Sequence, residues 1–190
     1  MKSLKVLMLN GSPHTNGNTA VALREMEAIF KENDVDVETV VLGNRDIRGC
    51  VACGSCAKTG KCVFDDGVNE LAPKFQEADG LVIASPVYYA SANATLIACL
   101  DRLFHSTSFD KTMKVGASVA CARRGGCSAD IERFFSELPH RHVAQLHADA
   151  PAAGGLISLV QQLFAVFGHQ LHQQLVLLLL AHGPQYRPGH

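Results

Sequence analysis

Cys50, Cys53, Cys56 and Cys62 place four of the chain's seven cysteines in one short segment, at the spacing C-x2-C-x2-C-x5-C. Thiolates so close in sequence can wrap a small inorganic core without help from distant segments, which is how cysteines hold an iron–sulfur cluster. The first three fit the bacterial cluster run C-x2-C-x2-C-x3-C-P, whereas Cys62 falls two residues late and lacks the proline. Structural zinc sites pair two C-x2-4-C knuckles across a longer gap, and that gap is missing, so zinc is the weaker metal. Free or redox-active thiols are the third reading, because C-x2-C also serves thiol chemistry in a reducing compartment. Lys58 and Lys61 lie in the same segment, where cations favour thiolate over thiol; solvated loop lysines are the plainer reading.

Three further segments carry a different chemistry. Asn10 to Thr19 is rich in glycine, amides and hydroxyls, and it opens a helix whose free N–H groups and dipole suit a phosphate. Position 18 is Asn where a Walker loop has Lys, and Gly11 and Gly17 are too far apart for G-x-G-x-x-G. What remains is a monophosphate loop of neutral donors: backbone amides, Ser12, Asn18 and Thr19, with His14 at hand. The plainer reading is that Asn18 or Thr19 merely caps the helix. Ser85 to Tyr89 sets Tyr88 and Tyr89 where a side chain can lie against a flat ring, or else pack into the core. Cys121 to Gly126 combines Arg123 and Arg124 with the bare amides of Gly125 and Gly126. Such donors near N1 and the adjacent carbonyl of a flavin stabilise its reduced anion, while an exposed arginine pair would do nothing of the kind.

The elements that must position these segments alternate strand and helix. Leu4 to Leu9 is an unbroken apolar run, as in a central parallel strand buried on both faces. A helix follows from about Asn18, its inward face marked by Val21, Leu23, Met26, Ile29 and Phe30, with an exit at Glu32-Asn33-Asp34. Further strands are expected at Val35 to Leu42, Leu81 to Ala84 and Val115 to Ala120, with helices at about Val68 to Ala78 and Ala92 to Phe104. This order implies a doubly wound α/β fold built on a parallel sheet. Ligands then sit beyond the carboxyl ends of the strands, so the phosphate, ring and thiolate segments are expected to converge along one rim.

Composition excludes other classes. With 190 residues, 47% hydrophobic content and a formal charge of −1, the chain suits one α/β domain. It has no basic stripe, and its aromatics are too scattered for a stacking platform, so no nucleic-acid partner is expected. Met1-Lys2-Ser3-Leu4 leads straight into a strand with no signal-peptide pattern, which points to the cytoplasm and reduced thiols.

Gly11-Ser12-Pro13 with Gly17-Asn18-Thr19, Ser85-Pro86-Val87-Tyr88-Tyr89, Asp101-Arg102 and Ala122-Arg123-Arg124-Gly125-Gly126 together resemble the flavodoxin-like NAD(P)H-dependent FMN reductase superfamily. With the cysteine segment, the chain resembles its iron-sulfur flavoprotein branch. The resemblance implies a flavodoxin-like doubly wound sheet of order 2-1-3-4-5. It implies FMN, with the phosphate on Ser12, His14, Asn16, Gly17, Asn18 and Thr19, and the ring against Pro86, Val87, Tyr88 and Tyr89 and against Ala122, Arg123, Arg124, Gly125 and Gly126. It also implies Cys50, Cys53, Cys56 and Cys62 as ligands of a 4Fe-4S cluster, and homodimers or homotetramers. Electrons then come from NAD(P)H and go to quinone- or flavin-like acceptors, or are exchanged with ferredoxin, and no side chain acts as nucleophile or base. A non-catalytic interaction protein with a crippled flavin site is the alternative of another class.

The resemblance covers about residues 1–138, with the cysteine-rich loop at 47–66. Beyond it, residues 139–190 hold seven of the nine histidines, without a metal-ligand spacing, and the apolar run Leu175 to Ala181, interrupted too early for a membrane span. The superfamily's fifth strand and last helix are therefore in doubt, and a reading-frame shift near residue 138 would account for such a tail.

Overall fold

The computed structural model describes residues 3–111, 114–123, 126–127 and 143–148. Strand β1 (Lys5–Asn10) is buried from Val6 onward, as its continuous apolar run requires. It pairs in parallel with β2 (Asp36–Val41) on one side and β3 (Gly80–Tyr88) on the other. Strand β3 pairs in parallel with β5 (Val115–Cys121), and β5 with β6 (Val143–Ala148). The two-residue β4 (Ser91–Ala92) turns back antiparallel on the end of β3. Counting the parallel strands alone, the order is the expected 2-1-3-4-5.

The fifth parallel strand, doubted from the sequence, is thus present, and the sheet runs past residue 138. An edge strand is specified mainly by one backbone ladder, so unfamiliar side chains do not preclude it. The last helix, the rest of the histidine-rich tail and the proposed frame shift concern positions outside the described residues.

Alternate residues of the buried strands feed two cores. Leu7, Leu9, Leu81 and Ile83 face α3 (Val68–Glu77) and α4 (Ala94–Ser106) through Leu71, Phe75, Leu96 and Leu103. Val6, Met8, Val82 and Val119 face α1 (Asn18–Glu32) through Leu23, Met26, Ile29 and Phe30. This division is the period-2 pattern of a strand covered on both faces. Phe75 meets Phe104 and Phe109 edge-on at 5.5 and 5.2 Å between ring centroids, closing the first core at the foot of α4. Among the described residues no helix is long and apolar enough to cross a membrane.

The five-residue α2 (Ser55–Thr59), within the cysteine segment, was not expected from the sequence. Left-handed Gly54 and Gly60, at φ of 70° and 69°, bound it at both ends.

Candidate functional site

The loop expected to take a phosphate hangs between β1 and α1 and is held chiefly by backbone. Gly11 N donates to Ala84 O at 2.7 Å, tying the loop to the middle of β3, and Leu42 N donates to Asn10 O at 2.7 Å, tying the end of β1 to the segment after β2. A Cβ on Gly43 would stand 2.3 Å from Ser12 C, so the loop rests directly on that backbone. The Asn44 side-chain amide donates to Pro13 O at 2.7 Å and Arg24 Nη1 to Thr15 O at 3.2 Å. Ser12 is buried, with its amide donating to Asn10 Oδ1 at 2.9 Å, and His14 N donates to Ser12 Oγ at 3.2 Å.

Gly17, not Asn18 or Thr19, occupies the N-cap of α1, and no side chain caps it. The helical ladder begins with Val21 N donating to Gly17 O at 3.0 Å, so the amides of Asn18, Thr19 and Ala20 precede it. The simple capping reading fails, and what stands there is an uncapped helix start suited to an anion. A phosphate monoester fits these groups. His14, Asn16 and Asn18 are exposed around the opening, whereas Thr19 is buried.

The other two segments expected to hold a flavin meet this loop. Parallel register sets Pro86 beside Cys121, and the Thr19 hydroxyl hydrogen-bonds the Cys121 thiol. Burial pushes the Cys121 pKa up, and that bond only partly offsets it. Gly126, at φ 113°, approaches so closely that a Cβ would lie 3.0 Å from Val87 Cγ1, which brings the third loop against the second. Tyr88 is 47% exposed and Tyr89 fully exposed, with Tyr89 held at φ 63°. The core alternative for both tyrosines is therefore excluded. Asn93 N donates to the buried Ser85 Oγ at 2.9 Å, and Asn93 Oδ1 accepts from Thr95 N at 2.8 Å to cap α4, so the shelf and α4 begin at one point. Ala122 is half-buried and Arg123 exposed, while Arg124 and Gly125 lie outside the described residues.

Cys50, Cys53, Cys56 and Cys62 all line one cleft, closed on its inner side by Arg102 and His105 of α4. Cys50 and Cys53 are exposed, Cys56 and Cys62 half-buried. Arg102 stands about 12 Å along α4 from Ala94 at ~1.5 Å per residue, so the cleft that it lines with His105 and Ser106 lies against the C-terminal half of that helix. Among the described residues no group of three or more His, Cys, Asp or Glu is placed to hold a metal ion. The donor set itself, four thiols on one concave wall, fits a thiolate-ligated cluster by its chemistry.

Arg102 is the group that sequence reading missed as part of this site. It is 1% exposed and pairs with Asp66. Burial alone would raise the Asp66 carboxyl, but the Arg102 hydrogen bonds, the Arg48 amide and the Arg102 charge outweigh it and hold the pKa below its ordinary 3.8. The Ser55 amide and hydroxyl hydrogen-bond the Cys53 thiol and lower its pKa from the ordinary 9.0. Asn69 clamps the end of the segment, accepting from Cys62 N at 2.9 Å and donating to Cys62 O at 3.0 Å. Away from the cleft, Cys99 is fully buried and its pKa is pushed up to about 12, and Cys127 packs with its thiol toward Ala120 O, so both are packing groups.

The sequence profile described as NADPH-dependent FMN reductase matches residues 4–143. The chain belongs to that family. An iron-sulfur flavoprotein of Methanocaldococcus jannaschii is 34% identical over 136 residues, 70% of each chain. Another, from Methanosarcina thermophila, is 32% identical over 157 residues, covering 80% of this chain and 82% of the relative. Among solved structures, RosB with bound 8-demethyl-8-formylriboflavin-5'-phosphate superposes with a TM-score of 0.60 at 18% identity, covering 94% of this chain and 77% of that one. The apo form of an NADH:FMN oxidoreductase gives 0.56 at 21% identity, over 75% and 73% of the two chains. These two establish the flavodoxin-like fold. Family membership makes the chain an FMN-dependent oxidoreductase of the flavodoxin-like superfamily.

Proposed function

We propose that this FMN reductase family member takes reducing equivalents from NAD(P)H and passes them to a quinone- or flavin-like acceptor, with a 4Fe-4S cluster on Cys50, Cys53, Cys56 and Cys62. The observation that carries the flavin part is the convergence of an uncapped helix start, an exposed tyrosine shelf and a close-packed glycine loop at the ends of β1, β3 and β5. Bound FMN supplies a ring that takes a hydride or single electrons, and a bound cluster supplies one-electron exchange.

The chain's own residues bind and orient. The amides of Asn18, Thr19 and Ala20 receive the phosphate, with Ser12 shaping the loop and His14, Asn16 and Asn18 at its mouth. Pro86, Val87, Tyr88 and Tyr89 support one side of the ring, and Ala122, Arg123, Arg124, Gly125 and Gly126 offer amides and charge to its polar edge. No side chain needs to act as nucleophile, acid or base. The exposed tyrosines also suit a face covered by a second copy, in a homodimer or homotetramer.

A second reading has its own support. The thiol-lined cleft, together with curated relatives named iron-sulfur flavoproteins, favours a carrier that exchanges electrons with ferredoxin instead of a nicotinamide. Rapid anaerobic mixing separates the two. NAD(P)H bleaches the flavin band of the reductase within its turnover time, whereas bleaching by reduced ferredoxin alone would overturn the nicotinamide reading.

A further inference from the structure

A guanidinium has five N–H donors, and in Arg102 all five are engaged. Nη1 donates to Arg48 O at 2.9 Å and to Asp66 Oδ2, and Nη2 donates to Asp66 Oδ1 at 2.8 Å and to Phe64 O at 3.1 Å. The fifth donor, Nε, points at Cys62 Sγ, 3.2 Å away. The Phe64 ring lies under both cations, 4.8 Å from Arg48 Cζ and 5.2 Å from Arg102 Cζ. Two of the fixed partners, Arg48 O and Phe64 O, belong to the stretches that enter and leave the cysteine segment, so one side chain fastens both ends of the thiol loop to α4.

The bidentate carboxylate already balances the guanidinium charge, and four hydrogen bonds suffice to anchor it. The Nε–H is then a buried donor whose partner is the sulfur, and a buried donor left without an acceptor is strongly unfavourable. Among the described residues, Cys62 is the one thiol of the cleft hydrogen-bonded to the side chain of a buried cation; Cys50 Sγ accepts the Ala52 amide at 3.4 Å, and Cys53 accepts from Ser55. The quartet is therefore asymmetric.

We propose that Arg102 is the positioning residue of the thiol set: its Nε–H pins Cys62 Sγ as the fixed corner of the cleft and tunes the electron affinity of whatever redox centre that sulfur serves, with Asp66 setting how much of the arginine charge the sulfur feels. The loaded part of the test rests on the cluster reading above; the pairing of Arg102 with Cys62 does not. A hydrogen bond to a ligand sulfur stabilises the more negative, reduced state of a cluster. Loss of the donor therefore disfavours reduction, and loss of the Asp66 charge favours it. A purely structural bolt would instead damage the cleft in the same way in both variants.

The experiment compares wild type, Arg102→Lys and Asp66→Asn in two arms. In the metal-free arm, alkylation by N-ethylmaleimide is followed residue by residue by mass spectrometry. Arg102→Lys is expected to slow modification of Cys62 about threefold relative to Cys50, because the sulfur loses the donor that stabilises the attacking thiolate while its intrinsic nucleophilicity partly compensates; an unchanged ratio overturns the proposal. In the loaded arm, protein reconstituted anaerobically with iron and sulfide is poised at one potential. Arg102→Lys is expected to lower the reduced-to-oxidised ratio of the cluster about tenfold, some 59 mV for one electron, and Asp66→Asn to raise it. Shifts of the same sign in both variants, or none, overturn the tuning role. If Arg102→Lys fails to fold, the upward shift in Asp66→Asn carries the test and its absence overturns the proposal. If wild type takes up no iron, the cluster reading fails while the metal-free arm still decides the pairing.

Discussion

The flavin rim and the thiol cleft are built in opposite ways. The rim gathers three loops separated by dozens of residues and holds them chiefly with backbone and close glycine packing: Gly11 N on Ala84 O, Gly43 against the Ser12 backbone, Gly126 against the Val87 side chain. The cleft takes its thiols from one contiguous segment, which the Arg102 side chain seats against α4 and Asn69 clamps at its Cys62 end. A site made of backbone contacts is specified by fold and tolerates side-chain change except where a Cβ has no room. A site seated by one buried ion pair concentrates its vulnerability in two residues.

Replacement of Arg102 by Met tests that concentration most severely. It leaves the largely buried Asp66 carboxylate unpaired and is expected to cost about 3 kcal/mol, the low end for orphaning a buried partner, because Asp66 keeps some exposure. Urea unfolding measures the loss, and FMN binding to the native fraction should survive; simultaneous loss of FMN affinity would break the separation of the two regions. The converse change is Gly43→Ala, whose Cβ would strike the Ser12 backbone and cannot be accommodated by a side-chain shift. A cost of about 2 kcal/mol with loss of FMN retention on a desalting column is expected, while alkylation at Cys62 stays at the wild-type rate.

Acid sharpens the contrast further. The Asp66 carboxyl is held below its ordinary 3.8, so its stabilising contribution is complete above that value and is lost as pH falls through the lowered one. Hydrogen exchange at the Arg48 amide, which donates to Asp66 Oδ2 at 3.1 Å, should accelerate selectively there and not in Asp66→Asn, which lacks the transition at every pH. The smallest effect belongs to Tyr89→Ser. The side chain is fully exposed, so thermal stability of the monomeric fold should change by less than about 0.5 kcal/mol, while FMN affinity or assembly, measured by fluorescence titration and light scattering, shifts detectably.

What could be read from sequence divides along the same line. Leu4 to Leu9, the helix from Asn18 and the loops at Asn10, Ser85 and Cys121 announced the rim, because strand and helix periodicity and turn residues are local signals and the parallel topology then forces strand ends together. The position of the cleft was not local in that sense. The cysteine segment follows β2, and only tertiary contact with the C-terminal half of α4 shows where it lies. Arg102 itself stands among Cys99, Leu100 and Leu103 on a buried helix face, a polar break in an apolar stripe that flags a partner without naming it. Asp66 and Asn69 gave less signal still, since an acidic residue and an amide near a helix start usually serve as caps. The fifth strand was doubted because its side chains looked foreign, yet its backbone pairs with β5 from Val143 to Ala148.

The most direct test of two separable redox sites in one chain is a visible spectrum with iron, sulfide and flavin assays on anaerobically purified wild type and Cys62→Ser. The wild type should carry bound FMN with about four iron and about four sulfide per chain, and Cys62→Ser should lose the iron and sulfide while keeping the flavin. A wild type that binds FMN without iron, or a Cys62→Ser protein that loses both together, would contradict it.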